Sequence, residues 1–418
     1  MESAIGEKIS NKVTYTVFIF SLILVVINII SVIFPSLIAE TLVKTEVTHG
    51  PFTIGSWAIP VIIANLVCLG IGIAYFKNYL PRKIANTIRF VYNFEVSKQV
   101  AIIVLIILIF YYIGSTLAET AIDEIIEFGD SKYVKEVVDR FPEREGGRLS
   151  SLEILVVKNS LLKSSLILFD NIRVIPVIAS TALLLVTYFF TYEITKKRFA
   201  GILSIIVLLQ SFTFLRYDSA STYANFWTLF YLLSLYLIMK KKWYLSPISY
   251  IASIFSKPLS VAYLPMTLFF TYRANISRKL KFKTLIVYAA LVIIGIYVFF
   301  GIGIDVGGSI TTKPINFDYV DFVSAFTIWA FQLRFETMFL TIILPLTVCL
   351  FLVSKKVNPQ ADSILFLITG IIFAMPLLAG FSDFNLHPYR FVPLMVFFAI
   401  GVGTIFSKKI KQDDIPYT

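Results

Sequence analysis

Apolar runs of membrane-spanning length punctuate almost the whole chain. They fall at 13–39, 57–76, 100–117, 172–193, 199–215, 219–239, 285–302, 335–354, 363–380 and 390–406, near the ~20 residues a helix needs to cross the hydrocarbon core. One further run, 245–272, follows Lys240, Lys241 and Lys242 and precedes Arg273, Arg278, Lys279, Lys281 and Lys283. Cytoplasmic loops collect Lys and Arg, so both of its ends belong on the cytoplasmic side and the run must enter and return. Its centre reads "FSKPLS". Pro258 removes a backbone donor and biases Lys257 away from helix, so two short helices meeting at a bend are expected, with the bend facing protein or a watery cavity.

The pattern predicts an all-α, multi-pass membrane protein of about ten spans plus the broken hairpin, or twelve passes if the hairpin counts as two. Three stretches organise it: 1–99, two N-terminal spans and a basic linker; 100–272, a core with a long loop at 118–171; and 273–418, the remaining spans. With the hairpin in place, basic segments such as 77–99, 196–198, 355–356 and 408–411 fall on the cytoplasmic side, together with both termini, in a cell membrane. The first run is longer than a signal-peptide core and reads as a retained helix.

Composition agrees and removes other classes. The chain is 57% hydrophobic and 15% charged, with a mean hydropathy of +0.82, which excludes soluble globular and disordered proteins. The net charge of +11 is accounted for by the cytoplasmic loops, so no nucleic-acid partner is implied. Cys68 and Cys349 both lie inside apolar runs, where a thiol behaves as a small hydrophobe; neither a disulfide framework nor a thiolate metal site is expected. "GIGIDVGG" at 301–308 follows a span rather than a strand, so it is no dinucleotide fingerprint.

The polar chemistry collects in the outward segments 40–56, 118–171, 215–219, 303–334 and 381–390, and at the Lys257 bend. The most hydrophilic stretch, "EFGDSKYVKEVVDRFPEREGG" at 127–147, sets Tyr133, Val137, Val138 and Phe141 at helical spacing with charges elsewhere, the pattern of a helix lying on a membrane surface. Asp130 follows Gly129 at the N-cap position; it serves either as a helix cap or as a general base made more basic by partial desolvation. Glu119, Asp123, Glu124 and Glu127 recur at helical spacing and read first as a solvated face, otherwise as a cation or second acidic site, with Glu119 the second candidate base. A lysine at an intramembrane bend, Lys257, is costly; it either serves function or snorkels to the outer interface. Arg216 and Asp218 either form an ion pair closing a tight turn or bind a ligand. His387 and Arg390, in "LHPYRF", either anchor the last span at the interface or bind a ligand. Residues 305–322 read as a glycine-bearing loop feeding an interfacial helix.

The order of "GDSKYVKEVVDRFPEREGG", an amphipathic segment, "TKKRFAGILSIIVLLQSFTFLRYDSASTYANFWTLFYLLSLYLI" and "SPISYIASIFSKPLSVAYLP" resembles GT-C membrane glycosyltransferases, in particular the protein O-mannosyltransferase and aminoarabinose-transferase-like group. The resemblance spans roughly 118–272. It implies that Asp130 takes the acceptor proton, with the aromatic Tyr133 three residues on. Arg216, Tyr217 and Asp218 stand where that group has a short turn, and Lys257 where it has a Ser/Thr-Lys bend. The reaction implied is inverting transfer of a sugar from a polyprenyl phosphate to a hydroxyl of a protein, lipid or glycan, with Lys257, Arg216 and Arg390 neutralising the departing phosphate. Membrane lipids are the other partners; no residue pattern demands a cofactor or a metal, and a divalent cation is left open. Two other classes fit parts of the pattern. A transporter or lipid flippase would use the broken helix and Lys257. A non-catalytic membrane subunit of the same fold would account for Ser131 where the family often has a second acid.

Overall fold

The computed structural model describes residues 2–43, 50–141, 155–301, 316–381 and 387–408. The end of the hydrophilic stretch at 142–147, the segment 305–315 and the C-terminus lie outside the described residues. Helix is the only regular structure among the described residues, with no strand. Six of its helices are long and apolar enough to cross a membrane: Asn11–Ile33, Ala58–Tyr75, Lys98–Ala121, Val174–Thr195, Thr337–Lys356 and Ala361–Phe381. Several other apolar runs form shorter helices, Arg198–Leu208, Phe226–Met239, Leu245–Ser256 and Pro388–Thr404 among them.

The departures from the hydropathy pattern have local causes. The first run stops at Ile33 because Pro35 follows, and a π-helical turn, Ala39–Val43, succeeds it. The run 199–215 is cut after Leu208, and a second short helix, Phe212–Tyr217, begins after a turn. That break is held by Glu336, whose carboxylate accepts the Ser211 hydroxyl (2.9 Å) and the Thr213 amide (2.5 Å). The helix expected from 219 starts only at Phe226, because the preceding residues wrap around buried carboxylates. The hydropathy pattern did not predict a helix at Arg82–Asn93; it follows Pro81, alternates basic and apolar residues and buries none of them.

Contacts divide the chain into two compact units. One comprises Met1–Ile102, Thr191–Thr213 and Ile315–Ile410, the other Ile103–Phe190 and Phe214–Pro314, each taken over its described residues. In the first, helix Glu2–Ile33 packs on Thr337–Lys356 and Ala361–Phe381; Thr14 donates to Asp362 at 2.9 Å inside that contact. Helix Val392–Thr404 is buried on all sides, and Gly403 lets it approach Arg198–Leu208 so closely that a Cβ would strike Ser204 and Thr191. In the second, Phe226–Met239 and Leu245–Ser256 lie against each other, tied by Ser253 to the Trp227 carbonyl (2.7 Å) and Ser249 to the Phe230 carbonyl (2.8 Å).

The bend expected at Lys257 is present. Helix Leu245–Ser256 ends there, Lys257 is extended (φ −161°, ψ 116°), and a 3₁₀ turn, Pro258–Tyr263, leads into Leu264–Arg273.

Candidate functional site

Within the second unit, four short segments converge: the turn 118–130, the helix Ser131–Arg140, Arg173, and the stretch 216–223. Their anchors are buried charges. Glu124 is 5% exposed and accepts the Ser221 amide (3.1 Å), the Ser221 hydroxyl (2.5 Å) and the Thr222 amide (3.0 Å). Lys158 reaches the Thr222 carbonyl at 2.5 Å from the helix Val156–Phe169. Burial pushes the Lys158 ammonium down to about 8, against the holding charge of Glu124. The expected solvated acidic face is therefore, at Glu124, the fold's internal scaffold.

Arg173, 3% exposed, donates to the carbonyls of Ser219 (3.3 Å) and Ile122 (3.1 Å), to the Ser219 hydroxyl (2.6 Å) and to Glu127 (3.4 Å). The other oxygen of Glu127 accepts from Arg216 at 2.8 Å, so one carboxylate bridges two guanidinium groups. Arg216 thus pairs with Glu127 rather than closing its turn on Asp218. The Ser219 hydroxyl donates a hydrogen bond to Glu119 at 3.0 Å.

Asp218 points inward. It is 1% exposed and accepts from Thr116 at 3.1 Å; burial, and then the Glu119 charge, raise its carboxyl to about 7. An acid whose folded value lies above its ordinary 3.8 binds its proton more tightly when folded, so stability falls as pH rises from about 4 to about 7 and levels off beyond. The full span is about 4 kcal/mol. Asp218→Asn, which keeps the Thr116 contact, is expected to flatten that dependence, and melting curves of wild type and variant in detergent at pH 5 and pH 8 check it.

Above this scaffold, Phe128, Tyr217 and Tyr223 form an aromatic trio with ring centroids 5.2–5.7 Å apart. The Arg216 guanidinium sits 5.1 Å over Phe128, and the Tyr223 hydroxyl donates to Asp130 at 3.0 Å. Asp130 occupies the N-cap position of Ser131–Arg140, yet its backbone is helical (φ −75°, ψ −11°) and its side chain makes no capping bond. The carboxylate is left for Tyr223 and for whatever else meets it. It is exposed, so the desolvation expected for a surface base is not supplied by the chain. The helix buries Ser131, Val134 and Val138, with Val134 and Val138 against Leu162 and Phe226. The apolar stripe is thus rotated from the expected one, and Tyr133 is exposed.

Lys257, also in the second unit, lies 5.8 Å over the buried Trp227 ring. His387 and Arg390 belong to the first unit, at the 3₁₀ turn Pro388–Phe391. There His387 stacks on Tyr389 and Arg390 leans on the same ring, donating to its hydroxyl at 3.3 Å. The structure therefore brings Asp130, Glu119, Arg216 and Asp218 into one connected network and adds Arg173, Lys158 and Tyr223, which the sequence does not mark, and Glu124 and Glu127, which it marks first as a solvated face. Among the described residues, no three His, Cys, Asp or Glu side chains gather as a metal site. No family model, curated protein or solved structure matches this chain.

Proposed function

We propose that the chain is a membrane glycosyltransferase that moves a sugar from a polyprenyl phosphate to an acceptor hydroxyl at the outer membrane face. The observation that supports it most is the joining of Asp130 and Arg216 through one aromatic trio, the carboxylate unused by its own helix and the guanidinium fixed by Glu127. A carboxylate accepting an acceptor proton, aromatic faces for a sugar ring and cations for a leaving phosphate are the three groups such a transfer requires.

In this reading the acceptor oxygen attacks the anomeric carbon as Asp130 takes its proton. The bond from that carbon to the phosphate oxygen breaks, the electron pair leaves with the polyprenyl phosphate, and the anomeric centre inverts. Tyr223 orients Asp130 through its 3.0 Å bond. Arg216 and Lys257 stabilise the departing charge, Lys257 from the break between Leu245–Ser256 and Pro258–Tyr263. In this reading the chain crosses the membrane about ten times, with the broken hairpin entering and returning in addition, and the network lies on the side opposite the Lys- and Arg-rich loops. Nucleotide sugars are cytoplasmic, so a lipid-linked donor follows from that sidedness.

Lys257→Ala is expected to weaken transfer roughly 10–100-fold, the value of one charge-assisted contact to phosphate, and Lys257→Arg to restore part of it; initial rates against donor concentration check both. The reading itself is tested by giving the purified protein a panel of radiolabelled polyprenyl-phosphate sugars and acceptors. Movement of label is expected, and no movement across the panel removes the reading.

A further inference from the structure

We propose that a pocket in the first unit binds the phosphate of an anionic membrane lipid. It lies where three helices end: the last turn of Glu2–Ile33 and the first turns of Ala58–Phe76 and Thr337–Lys356. Val32, Pro35, Gly55, Trp57, Trp329 and Arg334 are among its lining residues, and its cavity volume is about 30 Å³. That is far below the ~300–1,000 Å³ of pockets that take whole drug-sized ligands and admits about two water-sized groups, the size of phosphate oxygens at the mouth of the pocket.

Two observations give the ligand its sign and its chemistry. Trp329 is 0% exposed, lines the pocket, and its indole N–H has no hydrogen-bond partner among the described residues. A buried indole nitrogen normally finds an acceptor, and the ligand supplies one. Arg334, at the rim, is exposed and pairs with no carboxylate among the described residues; its guanidinium rests on Phe335 at 4.9 Å. The acid nearest in sequence, Glu336, is taken up by Ser211 and Thr213. Two helix N-termini add positive potential at the same place. Gly55 shapes the floor: its amide donates to Ile33 at 2.8 Å, and a Cβ there would strike the Val32 carbonyl.

The apolar surroundings favour a lipid over a free ion. From Trp57 the helix Ala58–Phe76 runs away from the pocket with Ile59, Ile63 and Leu66 exposed at 62%, 56% and 61%. Residues spaced four and three apart share one helical face, so they make an apolar track for an acyl chain whose phosphate sits between Trp329 and Arg334. Tryptophans at the ends of spans also belong at headgroup depth. The inference is independent of the glycosyl-transfer reading.

The test uses the full chain in nanodiscs of phosphatidylcholine alone or with phosphatidylglycerol, followed by native mass spectrometry and melting. Wild type is expected to retain one phosphatidylglycerol and to melt higher in its presence. Trp329→Phe, which keeps the ring and removes the N–H, and Arg334→Gln, a surface change, are expected to bind it ~10-fold more weakly. Both should melt as wild type does in phosphatidylcholine alone. Equal retention of phosphatidylglycerol by wild type and both variants overturns the proposal. So does a wild-type shift fully reproduced by inorganic phosphate in phosphatidylcholine discs, which would assign the pocket to a free anion.

Discussion

Asp130→Asn is expected to lower sugar transfer by about 10²–10⁴-fold, the usual contribution of a positioned general base, while leaving the fold in place. The second half follows from the geometry. Asp130 makes no capping bond and is exposed, and Asn retains an oxygen for the Tyr223 hydroxyl, so little stability is at risk. Loss of transfer without loss of melting temperature is the signature; KM for the donor should change far less than kcat, because the proton is taken in the transition state and not on binding. Tyr223→Phe, which removes the orienting bond, should show a smaller drop in the same direction.

Glu124→Ala is expected to act in the opposite way, through stability. Removing this carboxylate strands the amides of Ser221 and Thr222 and leaves the buried Lys158 ammonium with a single carbonyl partner. Breaking a buried charge pair on one side typically costs ~3–5 kcal/mol, a large fraction of a typical folded-state margin. The pH dependence identifies the cause. Lys158 already sits at about 8 with Glu124 present and falls further without it, so in the variant the lysine loses its proton on folding and the defect shrinks as pH rises through that range. Melting in detergent at pH 7 and pH 9 checks it; a defect of equal size at both pH values would point to lost packing instead.

The sequence made the membrane class legible because a span needs only a run of apolar residues, a local property. It likewise marked the break at Lys257, where proline and lysine sit side by side in an apolar run, and the acid at the head of a surface helix. The buried scaffold was hidden for a physical reason. Glu124 meets Ser221 across 97 residues, Arg173 meets Glu127 across 46, and Lys158 meets Thr222 across 64. Nothing in a row of four acids at helical spacing distinguishes a solvated face from a buried cap until the partner backbone arrives. Arg173 and Lys158 sit in stretches that read as amphipathic, where snorkelling explains a lone cation as well as burial does. The rotation of the Ser131–Arg140 helix has a similar origin, since Tyr133 and Val134 are adjacent candidates for one stripe and packing against Leu162 and Phe226 selects Val134. The start of Phe226–Met239, expected at 219, was masked because residues 219–225, SASTYAN, carry no charge, proline or glycine to mark a helix boundary, and Ser221 and Thr222 among them instead fold around Glu124.

The most direct test of the central claim reconstitutes wild-type protein in sealed vesicles containing a radiolabelled polyprenyl-phosphate sugar, with a membrane-impermeant acceptor peptide, lipid headgroup or glycan outside. Vesicles with the site-bearing face outward should place label on the external acceptor without any nucleotide sugar present, and Asp130→Asn vesicles should place almost none. Transfer that proceeds equally with Asp130→Asn, or that requires a nucleotide sugar supplied to the opposite face, would contradict the account.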